Sequence, residues 1–278
     1  MTHHVQLPGV RLAVHTRGSG LPLLLLHAFP LDHSMWAGQD DLADEFRLIV
    51  PDQRGFGRSD GPPPASIAQL ADDAVALLDA LHVAQPAVIG GLSMGGYVAQ
   101  HVAARHPDRV RALILADTRL EADTPEARAT RGELAAAVGR LGPEVVASAM
   151  IPNLLARSQH ARSNPARPTI EAALERTIRA TPAATITAAL AALGARPDMV
   201  DAMRRVGVPV LLVVGAEDTI TPPACMERAE QVFERPRRLV IPHCGHLAPL
   251  EDAAAFNAAV RAFLREVAGA ADTPAAGR

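Results

Sequence analysis

The stretch from Val88 to Gln100 reads VIGGLSMGGYVAQ, and its interpretation decides the fold. Gly90, Gly91, Gly95 and Gly96 crowd around one serine, Ser93. Glycine loses more conformational freedom on folding than any other residue, so this crowding needs a backbone reason. An apolar run, Ala87 to Gly90, precedes the serine. Met94, Tyr97, Val98 and His101 follow it at helical spacing. The pentapeptide Gly91-Leu92-Ser93-Met94-Gly95 is thus G-x-S-x-G at a strand-to-helix turn, the setting of a nucleophile elbow. Residues two before and two after the serine must be small, and the hydroxyl then stands above the strand ends at a helix N-terminus. A glycine-rich turn around a buried, hydrogen-bonded serine is the competing reading.

Short aliphatic runs extend the pattern in both directions. They are Pro22–Leu26, Arg47–Pro51, Pro86–Gly90, Val110–Ala116, Val208–Val214 and Arg238–Ile241. Several are apolar on both faces, as in strands of a parallel sheet covered by helices. Val5–Leu7 and Arg11–Thr16, around Pro8-Gly9, predict an antiparallel hairpin at one edge. Ser66 and Gln69 form a capping-box pattern ahead of Ile67, Leu70, Ala71, Ala74, Leu77, Leu78 and Leu81. A last helix runs through Phe256, Val260, Phe263, Leu264 and Val267. Strands alternating with such helices predict a doubly wound α/β fold.

The alternation stops between Arg119 and Arg205, where Ala/Arg/Glu-rich segments are punctuated by Pro125, Pro143, Pro152, Pro165, Pro168, Pro182 and Pro197. The predicted organisation is an α/β core over 1–118, a helical cap or lid over 119–205, a second core segment over 206–268 and a flexible tail over 269–278. A surface helical excursion is the alternative for the middle segment; insertions of this kind commonly cover a cleft.

A serine hydroxyl needs a base to become a useful nucleophile, and the base needs an orienting carboxylate. The run Leu211–Val214 leads into Gly215-Ala216-Glu217-Asp218, and Leu239–Ile241 leads into Pro242-His243-Cys244-Gly245-His246. Ser93, Asp218 and His246 therefore follow one another in the order this architecture uses. Glu217 and Asp117 are rivals for the acid. His243 and Cys244 beside His246 suggest a metal corner, but no second ligand pair stands at matching spacing, and no metal is expected.

Four separated segments now resemble the α/β-hydrolase family, in its serine-nucleophile branch. They are Asp52-Gln53-Arg54-Gly55-Phe56-Gly57-Arg58-Ser59, Gly91 to Gly96, Gly215 to Asp218, and Gly245-His246. The likeness runs from Leu23 to about Leu264, and within the family it is nearest to small carboxylesterases and 3-oxoadipate enol-lactonases. The resemblance implies a mostly parallel twisted sheet, helices on both faces and a helical cap inserted between two late strands. It implies no cofactor and a small ester or lactone as substrate. It places an oxyanion hole at the amides of Met94 and Phe29, the latter in His27-Ala28-Phe29-Pro30, where Ala28 replaces the family's usual glycine. His27 is expected to support that loop, and Asp52, Arg54 and Ser59 to brace a turn beside it. Trp36 and Tyr97 are candidates for the pocket wall, with core packing as the other possibility.

The implied reaction is acyl transfer to water through an acyl-enzyme. A perhydrolase or carbon–carbon bond hydrolase would use the same three residues. A non-catalytic ligand receptor on the same fold is the alternative from another class. An inward-facing cap arginine among Arg119, Arg128, Arg131, Arg157, Arg162 and Arg179 would suit a carboxylated substrate. The 278 residues are 49% hydrophobic and carry a net charge of −3, with no basic patch to attract nucleic acid or an anionic membrane. No lysine is present, and aromatic residues are too few for a stacking platform. Neither a signal-peptide pattern nor a membrane span is apparent, and Cys225 and Cys244 form no disulfide framework, so a cytoplasmic location is expected. Nothing in the residues reads out an oligomeric state.

Overall fold

The aliphatic runs form one eight-stranded sheet in a computed structural model that describes residues 2–269. The strands are β1 (Thr2–Leu7), β2 (Val10–Arg17), β3 (Leu21–Leu26), β4 (Phe46–Pro51), β5 (Ala87–Leu92), β6 (Val110–Ala116), β7 (Val210–Gly215) and β8 (Pro236–Ile241). Their order is β1-β2-β4-β3-β5-β6-β7-β8. The β1/β2 hairpin and the β2/β4 pair are antiparallel, and every later pairing is parallel. The predicted edge hairpin is present, turning at Pro8-Gly9 with Gly9 at φ 73°. The sheet is mostly parallel and wrapped by helices, as the α/β-hydrolase resemblance implies. β5 and β7 are buried at all six positions, which is why their sequences carry no polar alternation.

Chain direction across the sheet reverses between β3 and β5. From β3 the chain moves outward to β4, then returns to place β5 on β3's other side. Such a switch point opens a crevice beyond the carboxyl ends of the strands, where open α/β sheets bind ligands. Leu26 is paired with Gly91 there, so the loops after β3 and β5 leave the sheet side by side.

The surrounding helices are α1 (Ile67–Ala80), α2 (Met94–Arg105), α3 (Pro125–Leu141), α4 (Glu144–Leu154), α5 (Gln159–Arg162), α6 (Arg167–Ala180), α7 (Ala183–Gly194), α8 (Val200–Met203), α9 (Pro223–Glu230), α10 (Ala248–Glu251) and α11 (Ala253–Gly269). Ser66 caps α1 by accepting the Gln69 amide at 3.1 Å, as expected. The Gln69 side chain, however, accepts from the Ala65 amide at 2.8 Å rather than from that of Ser66, so the reciprocal half of the box closes one residue further out. Helices α3 to α8 all lie between β6 and β7, so the segment without strands is helical throughout its described elements. Pro152 does not end a helix but lies within α4. Gly269 closes α11, and the remainder of the expected tail lies outside the described residues. No described helix is long and apolar enough to cross a membrane.

Candidate active site

Ser93 sits between the last residue of β5 and the first of α2, at φ 55° and ψ −112°. That left-handed backbone is costly for a residue with a side chain and persists only when its surroundings enforce it. The enforcement is visible in the glycines. A Cβ on Gly95 would collide with the carbonyl oxygen of Leu26, and one on Gly91 with the carbonyl oxygen of Gly95. The glycines thus let α2 press against the end of β3. The Ser93 amide donates to Ala116 O at 3.0 Å. The Ser93 carbonyl accepts from the Tyr97 amide at 3.1 Å and the Thr118 hydroxyl at 3.0 Å. With its backbone anchored on three sides, Ser93 alone in the turn from Gly91 to Gly95 is not fully buried.

His246 and Asp218 meet in the loops after β8 and β7. His246 Nδ1 lies 2.9 Å from Asp218 Oδ2, and both side chains are almost fully buried. An ionised carboxylate only accepts, so Nδ1 carries the hydrogen and Nε2 holds the free lone pair of the neutral ring. Asp218 Oδ1 accepts the amides of Ile220 at 2.8 Å and Thr221 at 3.0 Å, and Oδ2 also accepts the Thr221 hydroxyl at 2.6 Å. Burial pushes the Asp218 carboxyl up, but His246 and the Thr221 donors outweigh it and hold its pKa at about 2.

The rivals are otherwise engaged. Glu217 Oε2 accepts the amides of Arg157 and Ser158 at 2.9 and 2.8 Å, tying the inserted segment to the loop. Asp117 is fully buried and accepts the Gly215 amide on Oδ1 at 2.8 Å. His243 is half exposed, with its ring 4.2 Å from that of His160. Burial raises the Cys244 thiol to about 12, which removes it as a nucleophile near neutrality. Among the described residues, one group has the spacing to share an ion: Asp32, His33 and Asp52, not the His243 corner. Asp52 there already accepts His33 Nδ1 at 2.7 Å and the amides of His33 and Arg58 at 2.8 Å.

His27 clamps the loop after β3. Its Nε2 accepts the Gln53 amide at 2.9 Å, so Nδ1 must bear the hydrogen that the Ala28 carbonyl accepts at 2.9 Å. Burial lowers its pKa, consistent with this neutral tautomer. The Ala28 amide donates to Met35 Sδ at 3.1 Å, and Phe29 enters a cis peptide bond with Pro30. Met94 opens α2, so its amide belongs to the first turn, where no intrahelical acceptor exists. The Asp52 turn is braced as expected. The Ser59 hydroxyl donates to Asp52 O at 2.6 Å, and Arg54 makes two bonds of 2.7 Å to Asp73.

Trp36 is buried with its ring against Phe256, and Tyr97 is buried beneath the Arg196 guanidinium. Of the six arginines considered for a substrate carboxylate, five are engaged. Arg119 donates to Ile220 O, Arg128 to Asp123 O, Arg131 to the Asp123 carboxylate, Arg157 to Pro152 O and Arg179 to Glu175. Near the β3 loop, a cavity of about 150 Å³ lies between Leu31, Ser34 and Met35 on one side and α6 on the other, and no charged residue lines it.

Three supports were not singled out from sequence. Thr221 shares Asp218 with His246. Gln53 positions His27. Glu251 accepts the amides of Gly245 at 2.6 Å and Ala156 at 2.8 Å, bracing the loop that carries His246. Only the Asp218-x-x-Thr221 spacing, a local turn pattern, offered a signal.

A family model described as the alpha/beta hydrolase fold matches residues 22–253. A thermophilic esterase from Thermogutta terrifontis, solved with malate bound, superposes with a TM-score of 0.90. It is 39% identical, and the match covers 96% of this chain and 99% of that one. The 3-oxoadipate enol-lactonase 2 of Acinetobacter baylyi is 29% identical over 255 residues, 87% of this chain and 88% of that protein. The match to 2-hydroxymuconate semialdehyde hydrolase of Pseudomonas sp. (strain CF600), 39% identical, spans only 38% of this chain and 40% of that protein.

Proposed function

The chain belongs to the α/β-hydrolase fold family, and from that premise we propose that it hydrolyses small carboxylic esters or lactones through an acyl-enzyme on Ser93. The observation that carries the reading is the buried His246–Asp218 pair at 2.9 Å, which engages Nδ1 and leaves Nε2 outside that bond. Similarity to an esterase and an enol-lactonase over nearly their full lengths supports the ester-bond class.

In this mechanism Ser93 Oγ attacks the carbonyl carbon while His246 Nε2 takes its proton. The ester C–O bond then breaks, and the imidazolium returns the proton to the leaving oxygen. Asp218, ionised at any working pH, holds the ring's tautomer and stabilises its cationic form. The amides of Phe29 and Met94 hold the oxyanion, each worth about 3 kcal/mol in the transition state. Water then attacks the acyl-enzyme by the same proton path and regenerates the serine.

The uncharged cavity beside the β3 loop and the engagement of five of the six cap arginines favour a neutral substrate with a short apolar group. Helices α3 to α8 serve as the cap over this region. Stoichiometric labelling by a fluorophosphonate, abolished in Ser93→Ala, tests the reading. Unchanged p-nitrophenyl acetate turnover in Ser93→Ala would overturn it; the expected loss is on the order of 10⁶ in kcat.

A further inference from the structure

Two buried carboxyls stand side by side at the ends of neighbouring strands, and the proposed mechanism uses one. Asp117 is the first residue past β6, and Asp218 lies three past the end of β7. The Asp117 amide donates to Val213 O at 2.9 Å, the Gly215 amide donates to Asp117 Oδ1 at 2.8 Å, and the Asp218 amide donates to Gly215 O at 3.1 Å. Asp117 is therefore stitched into the turn that presents Asp218. Its backbone is held at φ 42°, in the left-handed region. Its Oδ2 is fully buried, and no side-chain or backbone donor among the described residues reaches it.

The acids that bear on it are Asp218, on the loop after β7, and Glu251, on α10, and the Cys244 thiol, after β8, also interacts with it. A carboxylate on Asp117 would face two like charges with its second oxygen unsolvated. A carboxylic acid would instead have a hydrogen to offer Asp218, whose own oxygens already serve His246, Thr221 and two amides. Pairs of acids whose surroundings drive them apart in this way divide into one charged and one neutral member.

We propose that Asp117 is a positioning residue that stays protonated at neutral pH, holding the Gly215 amide with Oδ1 and turning an Oδ2–H towards the Asp218 carboxylate. Burial, then the Asp218 charge, raise its pKa well above the usual carboxylate range, in agreement with the geometry. Asp117 thereby fixes Asp218 in place without adding a second charge opposite His246. The inference rests on the Ser93–His246–Asp218 reading for its effect on rate, but not for the protonation state.

The test has one arm that needs no turnover. Infrared spectra of the full chain labelled with ¹³C-aspartate at neutral pH should show a protonated carboxylic-acid band that shifts with the label and is missing from Asp117→Asn. The aspartate label separates Asp117 from the buried Glu251. Absence of such a band in the wild-type protein overturns the proposal, whether or not any variant folds. In the second arm, Asp117→Asn, which mimics a neutral acid, keeps kcat within about threefold of wild type, whereas Asp117→Leu, which frees the Gly215 amide, loses tenfold or more. Asp218→Asn loses about 10⁴. An Asp117→Asn loss as deep as that of Asp218→Asn would make Asp117 the charged acid and overturn the proposal. Failure of the serine reading would show separately, as undiminished turnover in Ser93→Ala.

Discussion

The guanidinium of Arg196 lies 4.1 Å above the centre of the Tyr97 ring, joining the inserted segment to α2, the helix that follows Ser93. Arg196 also pairs with Asp123 at 2.8 Å, each side chain only 2% exposed, and Asp123 accepts Arg131 at 2.6 Å. Breaking a buried pair from one side strands the other charge, at a cost of about 3–5 kcal/mol. Arg196→Met should therefore lower Tm by roughly 10 °C, at about 2–4 °C per kcal/mol for a chain of this size. Scanning calorimetry checks this; a shift under a degree would show that the contact contributes nothing.

The collision built into Gly95 gives a second expectation. Gly95→Ala should destabilise the fold by about 3 kcal/mol or more, because the new methyl meets backbone rather than a movable side chain. Gly132→Ala, in an open helical position, serves as the control and should be neutral or slightly stabilising. Urea unfolding of both variants would contradict this if the two midpoints moved alike.

Asp218 sets an acid limb for stability. Its folded pKa, about 2, lies below its ordinary 3.8, so its contribution is present above 3.8 and disappears as pH falls through about 2. The shift corresponds to about 2 kcal/mol at neutral pH. The gap in unfolding free energy between wild type and Asp218→Asn should narrow steadily from pH 5 to pH 2. A gap of constant size across that range would contradict the assignment.

Thr221→Val removes the hydroxyl that Asp218 Oδ2 accepts but keeps the side-chain shape. Hydrogen bonds to charged groups contribute about 1.5–3 kcal/mol, so kcat should fall about tenfold, while Thr221→Ser should restore most of it. Equal losses in the two variants would point to packing instead.

The cavity beside α6 makes a substrate prediction. Ala173→Phe should fill it and raise KM for butyryl esters several-fold while leaving acetyl esters little changed. Steady-state kinetics on p-nitrophenyl esters of rising chain length, with a carboxylated lactone for comparison, test both size and charge. Preference for the carboxylated lactone would reverse the substrate assignment.

The strands were legible because burial on both faces writes itself as unbroken aliphatic runs; Val110–Ala116 was bounded to the residue. The elbow was legible because steric exclusion leaves only glycine at Gly91 and Gly95. The meeting of Asp218 with His246 was legible from their places at strand ends. What stayed hidden depends on tertiary approach. Nothing near Asp123 announces a partner at Arg196, and nothing near Trp36 announces Phe256, so whether that ring walls a pocket or fills the core had no local signal. The neutrality of Asp117 is equally invisible in a chain where it is one aspartate among many.

The helices between β6 and β7 divide the proposed machinery in time as well as in space. A ribosome that has released only the first 118 residues has made the nucleophile without its base. Residues beyond 205 must emerge, and β7 and β8 must dock, before an imidazole can reach the hydroxyl. On the proposed mechanism, ester hydrolysis is therefore a report on the finished sheet, and a chain stopped before β7 carries Ser93 without a base.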